Sequence, residues 1–262
     1  MSEPSDPPEL TDDDGYLEPD PDEPPPVELW RAVGDVPPWA TMLVLLSWGV
    51  VFLLMAARHE IGDSYAYLAR GASVPELDVL DVLWRSLAST FLHDGASHVA
   101  MNAVALLIFG PAVERIFTRS GFAIVFAVGG VLASLASVAW RLSRYGVGLH
   151  LALGGSGAVF ALGGALLGGA IRLRHRLAVG RARALGAAIL FLALTSLASG
   201  FHKLGTDNVA HAAGLVAGVL LGLTLPLSSR LADTRPSRIV RALALLATLA
   251  LVLCFVRVLR GS

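Results

Sequence analysis

From residue 39 onward the chain alternates long apolar runs with short polar ones, and seven runs are long enough to cross a bilayer as helices: about 39–57, 97–117, 122–140, 149–171, 184–200, 208–227 and 239–258. The pattern predicts an all-α polytopic membrane protein. Between the first two runs the pattern changes. Val79, Leu80, Val82, Leu83 and Leu87 interleave with Asp78, Asp81 and Arg85, so one face is apolar and the other wet. That predicts a helical segment lying in the membrane interface, with Trp84 at the boundary, its ring buried and its N–H in water. Residues 1–36 show no apolar period and are rich in Pro and acid, so they cannot bury enough surface to offset chain entropy. The pattern sets off a disordered tail over 1–36 from a seven-span remainder.

Composition sharpens this in one respect and charge in another. At 55% hydrophobic residues and a mean hydropathy of +0.65, a soluble domain of this length is excluded. The net charge of -1 averages two opposed parts, since residues 1–35 hold twelve of the 21 acidic residues and Arg31 alone among the bases. The tail has neither the basic start of a secretory signal nor the arginines of a transit peptide. If the N-terminus is cytoplasmic, that side receives Arg115 and Arg119, five arginines over 172–183, and Arg230, Arg235, Arg238 and Arg241. The opposite side holds a thinner scatter, so the positive-inside rule puts the N-terminus in and the C-terminus out. The high Ala, Arg and Leu content suggests a GC-rich bacterial genome, hence a bacterial plasma membrane. A single cysteine, Cys254, rules out a disulfide framework and a cysteine-based metal site.

The chemistry gathers around Gly154-Gly155-Ser156-Gly157 at the head of the fourth span. Small residues in membrane helices ordinarily serve packing, so a serine between glycines needs company before it counts as a nucleophile. It has company at its own depth. Spans two, four and six run in the same direction, and at about 1.5 Å per residue Ser156 stands roughly 24 Å above Arg172, His98 roughly 26 Å above Arg115, and His211 roughly 28 Å above Arg230. Asn102 lies one turn deeper than His98 on the same face. Polar side chains in hydrocarbon are costly and mark functional sites by default. Gly214, Gly218 and Gly222 follow His211 at four-residue spacing and permit close packing against the fourth span, which would bring His211 to Ser156. No carboxylate shares the layer, so a Ser–His dyad is expected rather than a triad. Phe160, one turn after Ser156, can stack on the imidazole. Two histidines with no cysteine or carboxylate at their depth do not make a zinc site.

These residues resemble the rhomboid intramembrane serine proteases over about 79–222. Gly154-x-Ser156-Gly157 is similar to the family's nucleophile motif. Ala210-His211-x-x-Gly214-x-x-x-Gly218 is similar to its base motif, and His98-x-x-x-Asn102 to its oxyanion pair. Trp84-Arg85, with His93 and then His98, resembles the first-loop signature, while Gly110 and Glu114 fit the cytoplasmic half of the second span. Pro111 departs from the small residue usual there and is expected to bend that end.

The resemblance implies a six-helix catalytic core over 37–227, a connecting loop with one extra C-terminal helix over 228–262, and an endopeptidase acting on transmembrane protein substrates within the bilayer. It implies no cofactor, no metal and no nucleic-acid partner. Ser156 and His211 are then catalytic, and Asn102, His98 and the Ser156 backbone N–H are oxyanion donors. Phe160, Gly155, Gly157, Gly214 and Gly218 support them. Trp84 and Arg85 anchor the outer loop, Glu114 bonds loop backbone groups, and His93 either packs in the loop or acts. The alternative is a catalytically silent relative that binds transmembrane clients. Such relatives typically lack the serine or the histidine, and both are present here. A small-solute transporter would call for broken helices in inverted repeats, and the sequence shows none.

Overall fold

The computed structural model describes residues 37–75, 78–173, 186, 207–228 and 236–261. The tail over 1–36 lies outside the described residues, as does the fifth predicted span, 184–200, except for Gly186. Seven α-helices are described: α1 (Trp39–Ala57), α2 (Ser64–Ala69), α3 (Val79–Ala88), α4 (Ala96–Tyr145), α5 (Ser156–Arg172), α6 (Asn208–Thr224) and α7 (Arg238–Arg260), with a short 3-10 turn at Ser89–Phe91. Among the described residues the extended structure is one isolated bridge, Ser73 to Ala152. The architecture is the all-helical, membrane-spanning one that the apolar runs predict.

Three boundaries differ from the hydropathy pattern, each for a local reason. α4 spans 50 residues because the second and third runs meet at one residue, Thr118, whose φ of 65° and ψ of 172° turn the chain without a loop. Positive φ is costly for a β-branched residue, so the surrounding packing must hold it. The backbone leaves helical geometry there and not at Pro111, which sits inside the helix. The fourth run starts as extended chain, and α5 begins only at Ser156, after Gly154 at φ 125°. At its other end α6 stops at Thr224, because Leu225 precedes Pro226 and is held at ψ 144°.

α5 is the buried centre. Leu162 and Leu166 are almost wholly enclosed, and Trp48, Phe117, Phe122 and Phe126 pack around them from α1 and α4. Its 17 residues rise about 25 Å, less than the roughly 30 Å of hydrocarbon, which lets its first residue lie beneath the membrane surface. Leucines on the outer faces of α1 and α7, such as Leu43, Leu53, Leu245 and Leu253, are exposed in the way lipid contact requires.

Glycines decide how α6 meets α5. A Cβ on Gly214, Gly218 or Gly222 would strike the carbonyl oxygen of Gly157, Ala161 or Ala165 in turn, so the two backbones lie in direct contact. Gly164 and Gly168 of α5 face the backbone of α6 in the same way.

At the opposite end from Ser156, Glu114 accepts hydrogen bonds from Thr41 N (2.7 Å), Thr41 Oγ1 (2.6 Å) and Ala40 N (3.2 Å). It therefore caps the first turn of α1 instead of bonding a loop, and it does so where Pro38 offers no capping side chain. Glu114→Ala is expected to lower stability by about 1–3 kcal/mol, because it strands those donors, and thermal unfolding in detergent measures it.

Candidate active site

Ser156 opens α5, where the first backbone N–H groups have no intrahelical partner and the helix dipole favours negative charge. Facing it, His211 comes from the first turn of α6. Asp207 starts that turn: one carboxylate oxygen accepts from Ala210 N at 3.0 Å and the other from Ser137 Oγ. His211 Nε2 lies 2.8 Å from Ser156 Oγ. The imidazole stacks on Phe160 with centroids 4.4 Å apart and an interplanar angle of 10°. The ring is buried, and its Nδ1 has no hydrogen-bond partner among the described residues. Asp207, which accepts from Ala210 N and Ser137 Oγ, lies four residues before His211 on the same helix start.

Asn102 and His98 reach the same point from α4. Asn102 is buried, and its Nδ2 has no partner among the described residues. A Cβ on Gly154 would stand 2.8 Å from His98 Nε2 and 3.9 Å from Asn102 Nδ2. Both groups thus converge on the backbone just before Ser156, and Gly154 is needed both for its positive φ and for this approach. His98 Nδ1 pairs with Asp94 Oδ1 at 2.6 Å, one helical turn away. An ionised carboxylate only accepts, so Nδ1 carries the proton and Nε2 is the atom left facing Gly154. Gly155 abuts the Trp48 ring, and a Cβ on Gly157 would lie 2.8 Å from that of Ala133.

His93 packs in the loop. Its ring lies 5.0 Å from Trp48 and 5.1 Å from His98, and neither ring nitrogen has a partner among the described residues. Burial pushes His93 down to about 3, with the neighbouring His98 adding to the effect. The folded value lies below the unfolded one near 6.5, so the unfolded chain binds the extra proton. Stability is full above about pH 6.5 and falls as the pH drops toward 3. His93→Leu is expected to shrink the loss of melting temperature between pH 7.5 and pH 5.

In the outer loop Arg85 donates to the carbonyls of Leu68 (2.7 Å) and Ala72 (3.4 Å) and to Asp81 Oδ2 at 2.5 Å. Trp84 Nε1 donates to Asp81 Oδ1, so its N–H is tied to protein and not held in water.

Sequence reasoning missed a cleft beside Ser156. It is partly open, has a volume of about 40 Å³, and is lined by Ser73, Ser89, Thr90, Ser134, Ser137 and Asp207. These side chains come from four separate stretches of chain, and only Asp207, a helix-capping residue four before His211, left a readable signal. Arg141 was also unforeseen as a structural group. Buried, it donates to the carbonyls of Ser73 (3.1 Å) and His150, joining the two loops that flank the site.

An integral membrane protein with a serine, an imidazole and amide donors at one helix head defines a class, and comparison with known families names it. Residues 81–228 match the family model described as the rhomboid domain. The chain belongs to the rhomboid family. It is 30% identical to the rhomboid protease GluP of Bacillus subtilis over 190 residues, covering 72% of this chain and 35% of that protein. It is 27% identical to the rhomboid protease AarA of Providencia stuartii over 199 residues, 69% of this chain and 70% of the relative. RHOMBOID-like protein 9, chloroplastic, of Arabidopsis thaliana is 33% identical over 133 residues, 48% of this chain and 28% of the plant protein. The chain thus spans about a third of the length of two of these three relatives.

Proposed function

We propose that this protein is an intramembrane serine endopeptidase that cleaves peptide bonds in or next to transmembrane segments of other membrane proteins. The observation that carries the reading is the 2.8 Å contact between Ser156 Oγ and His211 Nε2, under a stacked Phe160, at the head of a buried helix. Ser156 Oγ attacks the scissile carbonyl carbon as His211 Nε2 takes its proton. The oxyanion forms beside the Ser156 N–H at the head of α5 and beside Asn102 Nδ2, which has no partner among the described residues, with His98 Nε2 adding a third donor when the imidazole carries both protons. His211 returns the proton to the leaving amine, the C–N bond breaks and an acyl-serine ester remains. Water, which the hydroxyl-lined cleft can hold, then attacks that ester with His211 as base, and Ser156 is regenerated. No cofactor enters these steps.

The distribution of arginines supports a cytoplasmic N-terminus and a site opening toward the outer face of a bacterial plasma membrane. Labelling with a fluorophosphonate probe tests the activation of the serine. The purified wild-type protein is expected to label. A folded protein that stays dark where a soluble serine protease labels would overturn the reading in favour of a client-binding relative.

A further inference from the structure

α7 is an odd helix energetically. Of its 23 residues only Ala244, Ala247 and Val258 are buried, yet its last two turns are tied to the outer loop by polar and aromatic contacts. Arg70, 2% exposed, donates from Nη1 to the carbonyls of Val258 (2.7 Å) and Leu259 (3.3 Å), two of the terminal acceptors that an α-helix leaves unpaired. Glu60 takes the other edge of the same guanidinium at 2.5 and 2.9 Å. A planar fork is needed to serve a carboxylate and a helix end at once. Just before Val258 and Leu259, the Arg257 guanidinium lies 3.6 Å over the Trp84 ring, and Phe255 packs on Phe91 with centroids 5.7 Å apart.

The residues so held lead to the nucleophile. Phe91 belongs to the 3-10 turn Ser89–Phe91, and the carbonyl of Ser89 accepts from Gly154 N at 2.9 Å. Tyr67, in the short helix that ends beside Arg70, donates its hydroxyl proton to the carbonyl of His93 at 3.2 Å. Both paths end at the backbone around the site, one beside Gly154 and one beside Asp94, the partner of His98.

We propose that α7 braces the catalytic layer, with Arg70, Phe255 and Arg257 as positioning residues that hold the Ser89–Phe91 turn and, through it, the Gly154 backbone next to Ser156. The proposal goes beyond the protease reading and rests on it only for the meaning of its kinetic readout. A displaced oxyanion cradle slows acylation without changing how the probe binds, and a shift of about 1 Å at a distance can cost up to about a hundredfold.

Two measurements on the full chain test it. The first is hydrogen exchange over residues 152–157. Arg70→Gln and Phe255→Ala are expected to speed exchange at the Gly154 amide, and Leu253→Ala, on the exposed face of the same helix, to leave it unchanged. The second is the time course of fluorophosphonate labelling. The maximal rate is expected to fall about tenfold in both brace variants with the half-saturating probe concentration unchanged, Arg70→Lys recovering part of the loss. If Arg70→Gln does not fold, Phe255→Ala and Arg257→Gln each remove one contact and carry the same expectations. Unchanged exchange at Gly154 in folded brace variants overturns the proposal, as does labelling at the wild-type rate. A wild type that does not label counts against the protease reading instead, and the exchange result still decides the brace.

Discussion

Ser156→Ala is expected to abolish cleavage of a transmembrane reporter in vesicles, and His211→Ala to slow it by about ten-thousandfold or more, with the fold intact in both. The two effects come from one unit. Without Oγ there is no nucleophile, and without Nε2, 2.8 Å away, the hydroxyl keeps its proton and attacks only as a neutral alcohol. Ser156→Ala removes only one oxygen, so melting temperature should hardly change. His211→Ala leaves a gap beside Phe160 and should cost some stability. Asn102→Ala belongs to the same experiment but acts on the oxyanion, so a loss of about a hundredfold is expected. Cleavage by Ser156→Ala at the wild-type rate would exclude this serine as the nucleophile.

Gly218→Ala is expected to have the largest effect of any single-methyl change. The added Cβ would meet the carbonyl oxygen of Ala161, with Ala161 C at 2.7 Å and Cα at 2.8 Å, all backbone atoms that no rotamer change can move aside. Overpacking of this kind costs about 1–3 kcal/mol where helices can separate, and separation draws His211 away from Ser156. Activity should therefore fall by about a hundredfold or more even in the protein that stays folded. Gly49→Ala is the control, because nothing lies within 4 Å of its missing Cβ and alanine is the better helix former. Thermal unfolding and probe labelling, run side by side on both variants, separate the packing loss from the catalytic one. Equal behaviour of the two variants would show that α5 and α6 tolerate separation.

Along one dimension the reading was direct. Apolar run length marks where helices can span, and the rise per residue places Ser156, His98, Asn102 and His211 at one depth before any contact is known. The four-residue spacing of Gly214, Gly218 and Gly222 likewise announces a close helix pair. What failed were statements about partners. Glu114 caps the first turn of α1 and not a loop, and Trp84 gives its N–H to Asp81 and not to water. Each depends on which atoms of a different segment stand opposite.

The existence of the described spans, the shared layer and the residue types able to do acyl chemistry were legible in the order of amino acids alone, because helix periodicity and hydration cost act locally along the chain. The distances and angle at which His211 meets Ser156 and Phe160, the cleft assembled from scattered side chains and the reach of Arg70 to carbonyls 188 and 189 residues away were decided only by the tertiary structure. Helix rotation and neighbour choice come from packing of whole surfaces, and no local pattern in the chain encodes the geometry of a contact between helices that meet only when folded.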